Sequence, residues 1–171
     1  MSNCIISNGY TLGCASIGGV EKVWIGPFSG DTSYTFDADN IVDSVTSALA
    51  VYEFEQDMEY AGLTQTGVFE RSNGTVHYES VLSLKFIELD ADLRNTIVAL
   101  GKAPVYAVIK SNAGHYYILG VESAGRATNA VASVGVAMSD LNGATMEITF
   151  KSQNGAYLID GTLVGTSIPV A

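Results

Sequence analysis

Between Tyr52 and Tyr60 the chain reads Y-E-F-E-Q-D-M-E-Y, and this alternation constrains the fold more than any other stretch. Glu53, Glu55, Asp57 and Glu59 hold the odd positions; Tyr52, Phe54, Met58 and Tyr60, with Gln56 among them, hold the even ones. Successive side chains of a strand point to opposite faces, so a period of two gives one aromatic and one acidic face. On a helix the same residues scatter round the cylinder. The spacing therefore predicts a strand from Ala50 to Tyr60. Four carboxylates in a row repel one another and must meet water. An ordinary solvated face satisfies that need, and so does the wall of an aqueous channel that has to let a polyanion pass.

The clearest hairpin follows. Thr64–Arg71 and Thr75–Glu88 flank Ser72-Asn73-Gly74, and Asn-Gly is the preferred pair for a type I′ turn. On the returning arm Val76, Tyr78, Leu82, Leu84 and Phe86 share one parity. At about 3.3 Å per residue that arm spans some 40 Å, unusually long for a small domain, and a bulge or bend is expected near Ser80. Further strands are expected at Val20–Ile25, Ile41–Val45, Val105–Lys110, His115–Val121, Ser133–Met138, Ala144–Lys151 and Ala156–Val164, with loops over 26–40 and 123–131. Residues 1–18 read as a flexible N-terminal arm, with a short strand possible around Cys4–Ile6, and about 162–171 as a C-terminal tail. One helix stands out over about 90–101. Asp90 caps it, Leu93, Ile97 and Leu100 form its apolar stripe with Val98 beside them, and Gly101 and Pro104 stop it. Asp92 in its first turn and Lys102 at its end suit the helix dipole. The result is a single mainly-β domain, an antiparallel β-sandwich or barrel-like sheet with long hairpins and one flanking helix.

Charge narrows the partners. Lys and Arg number 8 against 18 Asp and Glu, a net charge of −10. Gripping nucleic acid needs clustered Lys and Arg, and an acidic surface repels anionic membranes as well. The balance suits a surface that nucleic acid passes without being held. No segment reads as a secretory signal or a membrane helix, so a cytoplasmic, soluble protein is expected.

The sequence offers little chemistry. His77 lies in a strand and His115 at a turn exit, neither with a nucleophile or metal-binding context. Cys4 and Cys14 fit neither a disulfide framework nor a metal site. Asp140-x-Asn142-Gly143 faintly echoes a calcium loop but lacks its ligand spacing and flanking helices; a hairpin turn explains it more simply. Asn73-Gly74-Thr75 matches a glycosylation acceptor that a cytoplasmic chain would not use. No cofactor and no catalytic residue is expected.

The order of several blocks resembles the tail tube or major tail proteins of tailed phages infecting Bacteroidetes. The resemblance runs through C-I-I-S-N-G-Y-T-L-G-C at Cys4–Cys14, S-I-G-G-V-E-K-V-W-I at Ser16–Ile25, Y-E-F-E at Tyr52–Glu55 and N-G-T-V-H-Y-E-S-V-L-S-L-K-F at Asn73–Phe86. It continues with L-R-N-T-I-V-A-L at Leu93–Leu100, V-Y-A-V-I-K-S-N-A-G-H-Y-Y-I-L-G at Val105–Gly120 and V-G-V-A-M-S-D-L-N-G-A-T-M-E-I-T-F at Val134–Phe150. Ala144, where an aromatic is expected, and the apolar I-P-V-A terminus depart from the pattern and leave a single-ring head–tail connector or tail adaptor open.

The resemblance implies a virion structural protein that assembles in the bacterial cytoplasm into hexameric rings, which stack into a DNA-conducting tube. Its partners would be itself and other tail or connector proteins, with genomic DNA passing unbound. Glu53, Glu55, Asp57 and Glu59 then become candidates for the lumen wall. Val68, Phe69, Asn73, Gly74, Val76 and Tyr78 become candidates for an inter-subunit hairpin, because one copy's hairpin can extend its neighbour's sheet. A competing reading is a receptor- or carbohydrate-binding β-sandwich, for which Phe28, Tyr34 and Phe36 are the available loop aromatics.

Overall fold

A computed structural model describes residues 9–13 and 15–171. The strands are β1 (Val20–Pro27), β2 (Ser33–Phe36), β3 (Val42–Thr46), β4 (Tyr52–Phe54), β5 (Gly62–Glu70), β6 (Thr75–Ile87), β7 (Val105–Ser111), β8 (Tyr116–Leu119), β9 (Arg126–Ser133), β10 (Gly143–Ser152) and β11 (Tyr157–Ile159). The helix α1 (Ala91–Lys102) joins β6 to β7. The strands form a seven-stranded sheet, β2-β3-β11-β8-β7-β1-β4, and a four-stranded sheet, β5-β6-β10-β9. The mainly-β, sandwich-like fold with one helix is as the sequence indicates.

Strand pleating divides the apolar residues between two cores. Val23 and Ile25 of β1 join Ala107 and Ile109 of β7 and meet Leu82, Leu84, Met146, Ile148 and Phe150 of the four-stranded sheet. Trp24, Tyr106, Val108 and Ile118 point the other way and pack with Val42, Val45, Val51, Ile159 and Ile168. The central strands are thus buried on both faces, which is why Val105–Ile109 reads as an unbroken apolar run.

The helix follows its sequence signals closely. Asp90 accepts a hydrogen bond from Leu93 N at 2.7 Å, Leu100 is buried and Ile97 packs beside it. Val98, expected to widen the stripe, is instead exposed. The helix runs through Gly101 to Lys102 and ends at Ala103, whose extended backbone is what a following proline favours.

Several expectations are corrected. The 26–40 loop contains β2, a four-residue edge strand that pairs with β3 and is too short for its Tyr34 and Phe36 to announce it. β4 stops at Phe54 instead of running to Tyr60; Tyr60 N donates to Asp57 O at 3.1 Å, closing a turn in which Glu59 has φ 65. Register along β6 is continuous past Ser80 on both sides, with no bulge there. The β5–β6 loop is four residues, 71–74, with only Gly74 left-handed (φ 64), so it is not a type I′ turn, which needs two such residues. Beside β6, β10 pairs with Arg126–Ser133, most of it within the segment read as a loop, in place of the expected Ser133–Met138, and 134–142 forms the connection.

The expected strand over 156–164 is short, Tyr157–Ile159, and a 3-10 turn at Gly161–Leu163 follows it. Residues 162–171 are no loose tail. Ile168 is fully buried, Val51 N donates to Pro169 O at 2.9 Å, and Ala171 N donates to Val51 O at 2.9 Å. Of the N-terminal arm, residues 1–8, including Cys4–Ile6, and Cys14 lie outside the described residues. Tyr10, Leu12 and Ile17 are exposed, and Asn112 Nδ2 donates to Gly18 O at 2.8 Å where the arm reaches β1.

Candidate assembly surfaces

The β5–β6 hairpin outruns the sandwich. β10 supports β6 only as far as Tyr78, which lies opposite Ser152. Beyond it, Val68↔His77, Phe69↔Val76 and Glu70↔Thr75 pair only with each other among the described residues. The core-facing parity of β6, Leu84–Leu82–Ser80, continues through Tyr78 to Val76, with Gly67 and Phe69 opposite on β5. The apolar face therefore runs past the end of the core. Phe69 is 64% exposed and Val76 50%. Phe69 leans back over Gly67 and meets Tyr78 edge-on. Val68 is exposed on the opposite face, and Asn73 and Gly74 sit at the exposed tip. Glu70 Oε1 accepts from Ser72 Oγ at 2.5 Å, which holds the Glu70 carboxyl below its ordinary pKa. All six hairpin residues singled out in the sequence thus fall on one projecting ribbon.

The acidic segment is not one wall. Glu53 lies on β4 opposite Trp24 and pairs with Lys22 Nζ at 3.0 Å, which raises the pKa of that lysine. Glu55, Asp57 and Glu59 follow the strand's end and remain exposed. Three of their even-numbered neighbours turn towards β6: Phe54 packs on Phe86, Gln56 Oε1 accepts from Lys85 N at 3.1 Å, and the Tyr60 ring lies 4.3 Å from Lys85 Nζ. Met58 does not follow them and is exposed, so the period of two does not persist beyond the strand. Glu55 and Asp57 share a concavity of about 640 Å³ with Glu88, Asp90 and Asp92.

Sequence reasoning missed two features of the four-stranded sheet. Its outer strands, β5 and β9, are both long edges with no further strand beside them. Its outward face carries Thr64, Thr66, Ser83, Thr145 and Thr149, and the basic residues there are mostly occupied. Lys151 pairs with Glu79 at 3.5 Å, and Lys85 covers Tyr60. β9, R-A-T-N-A-V-A-S, has no apolar alternation to announce it; only its Thr, Val and Asn signalled extended, exposed backbone.

The rest of the surface shows little arranged chemistry. Burial raises the pKa of Glu122, but bonds from Tyr157 OH at 2.6 Å, Gln153 N at 2.5 Å and Asn154 Nδ2 at 2.9 Å outweigh it and leave the carboxyl below its ordinary value. The cluster ties the 153–156 turn to the loop before β9. His115 is exposed and His77 half-buried; His115 meets Ser111 Oγ only through its backbone, and neither imidazole bonds a nucleophile among the described residues. Among the described residues no group of three His, Cys, Asp or Glu is placed to hold a metal ion, and no helix is long and apolar enough to cross a membrane. Of the loop aromatics, Phe28 and Tyr34 pack against the second core, where burial pushes the Tyr34 hydroxyl up to about 12. Phe36 lies 4.9 Å from Tyr157. Comparison with protein-family models and with curated proteins finds no match for this chain.

Proposed function

We propose that the chain is a non-enzymatic structural subunit that closes into rings, which stack into a DNA-conducting tube in the tail of a phage virion. The observation that carries this reading is the pair of long edge strands on the four-stranded sheet, with which no further strand pairs among the described residues, although α1 packs beside β9. Long edge strands are normally blunted by inward charges, proline or a covering segment, because they template association. Here β5, G-L-T-Q-T-G-V-F-E, and β9, R-A-T-N-A-V-A-S, carry one charge each, at an end, and no proline.

Direction supports the same reading. Every neighbour in the sheet is antiparallel, so β5 and β9 run in opposite senses. Rotation about an axis along the strands preserves those senses, and the β5 of one copy meets the β9 of the next as an antiparallel pair. Such a heterologous contact closes into a ring when the rotation divides a full turn. The outward face, on which Lys151 pairs with Glu79, suits the lumen better than residues 53–59 do, since most of these lie beyond the end of β4. A wall with no free basic cluster lets DNA slide without gripping it. A glycan-binding module is less favoured, because two of its three aromatics are drawn into the core.

Sedimentation velocity across a concentration series tests the proposal. Closed oligomers of defined mass, with larger stacks above them, are expected. A monomer at every concentration, including with preformed tail initiator added, contradicts it; a single ring that never stacks moves the protein to a connector or adaptor.

A further inference from the structure

We infer that successive rings are joined head to tail by the tip of the β5–β6 hairpin, which seats on the β9–β10 connection of a copy in the next ring. This inference rests on the ring-forming reading and names the contact that stacks the rings.

Both partners sit at opposite poles of one sheet. The hairpin tip lies at one end of β6, where Phe69 and Val76 hold core parity with no core beneath them. At the other end, Ile87 pairs with Gly143, and the 134–142 connection returns from β9. That connection displays three large apolar side chains. Val134 is 73% exposed, and Val136 and Met138 are fully exposed.

The loop is nevertheless well fixed. Asp140 Oδ2 accepts from Val136 N at 2.9 Å and Ala137 N at 2.8 Å, Gly135 N donates to Ser133 Oγ at 3.2 Å, and Glu88 N donates to Asn142 O at 2.7 Å. A pre-formed loop that holds valine and methionine in water loses little conformational entropy on docking and gains apolar burial.

Two different apolar patches at opposite ends of the strand axis are not self-complementary end to end, where a copy presents only one of them to its neighbour. They fit a head-to-tail one, which repeats along the strand axis without closing. Charge agrees. Arg71 stands at the hairpin tip with no ion pair among the described residues, while the far pole gathers Glu55, Asp57, Glu88, Asp90 and Asp92 round one concavity. Glu70 beside it is tied to Ser72, so a second copy brings an apolar tip that offers one cation unpaired among the described residues, Arg71, to the acidic, apolar pole. The stack should repeat at about the length of β6, on the order of 40 Å for its 13 residues.

Electron microscopy of wild type, Val76→Glu, Met138→Glu and Arg71→Glu tests the contact; Val76 lies on β6, away from the ring-forming edge. Met138 is fully solvent-exposed, so its replacement leaves the fold intact. Wild type should form tubes; both apolar-to-Glu variants should leave rings of unchanged diameter, with tube length reduced at least tenfold. Arg71→Glu should shorten tubes, and adding Asp92→Arg should restore them. Full-length tubes in both apolar-to-Glu variants, or loss of the rings themselves, would overturn this contact while leaving ring formation by the wild type in place. If the wild type forms no ring at all, the assembly reading fails and the contact falls with it.

Discussion

The Phe69 ring stands edge-on to Tyr78, with centroids 5.9 Å apart and planes at 88°, where β6 parts from β10. Gly67 makes room for it: a Cβ there would lie 2.7 Å from Phe69 Cζ and 3.1 Å from the Tyr78 ring. An aromatic pair spanning a glycine stiffens a two-stranded ribbon that has no third strand to brace it.

Gly67→Val should therefore push Phe69 off Tyr78 and change the near-ultraviolet circular dichroism. Because the ring is exposed, folding stability should change by less than about 1 kcal/mol in urea titration. A much larger loss would mean that the hairpin is integral to the core.

Ile168 is fully buried in the second core and anchors the last residues beside Val51. Ile168→Ala should cost about 2–5 kcal/mol in urea titration. A cost near zero would mean that the C-terminal segment is not docked in solution.

Gly143 begins β10 where a Cβ would stand 2.0 Å from Phe86 O, a backbone atom that cannot turn aside. Gly143→Ala should destabilise by about 1–3 kcal/mol or more. Gly62→Ala, with nothing within 4 Å of the added Cβ, should stay within about 0.5 kcal/mol. Equal effects at the two sites would contradict the packing.

Much of this fold was legible because burial imposes periods. β6 and β10 alternate cleanly, and β1 and β7 read as strands because both their faces are apolar. The helix announced itself through Asp90 and Pro104. What stayed hidden was set by tertiary context. β9 is a largely polar and small-residue edge strand and β2 an edge strand of only four residues, so their sequences resemble loops. The Tyr52–Tyr60 alternation misled in the opposite direction. Phe54, Gln56 and Tyr60 do turn towards β6, but Gln56 and Tyr60 reach Lys85 from a turn and Met58 stays exposed, so the alternation in sequence did not mean a strand beyond Phe54. The C-terminal residues looked like a tail because a single buried isoleucine among small residues has no periodicity to betray it.

Asp140 accepts from two backbone amides, Ala137 N first and Val136 N second, and these hold its carboxyl below its ordinary value of 3.8. A depressed folded-state pKa means that the ionised form orders the loop at all pH values above 3.8, and that the contribution is lost as pH falls through the lowered value. The amide signals of Val136 and Ala137 should shift together in acid titration by nuclear magnetic resonance, and Asp140→Asn should remove that titration. Amides that do not respond would contradict the loop geometry.

Ala130 lies on the core-facing side of β9 yet is exposed at the sheet edge. Ala130→Lys should leave the monomer folded and abolish rings, because a lysine on an edge blocks strand pairing. Sedimentation at unchanged circular dichroism would report it. Undiminished rings would place the interface elsewhere.

The most direct test of the account is a cryo-electron-microscopy map of the assembled wild-type protein. The account predicts a continuous antiparallel sheet in which β5 of each copy pairs with β9 of the next, its face of Thr64, Ser83 and Thr149 turned to the central hole. A ring built through other strands, or one with that face turned outward, would contradict it.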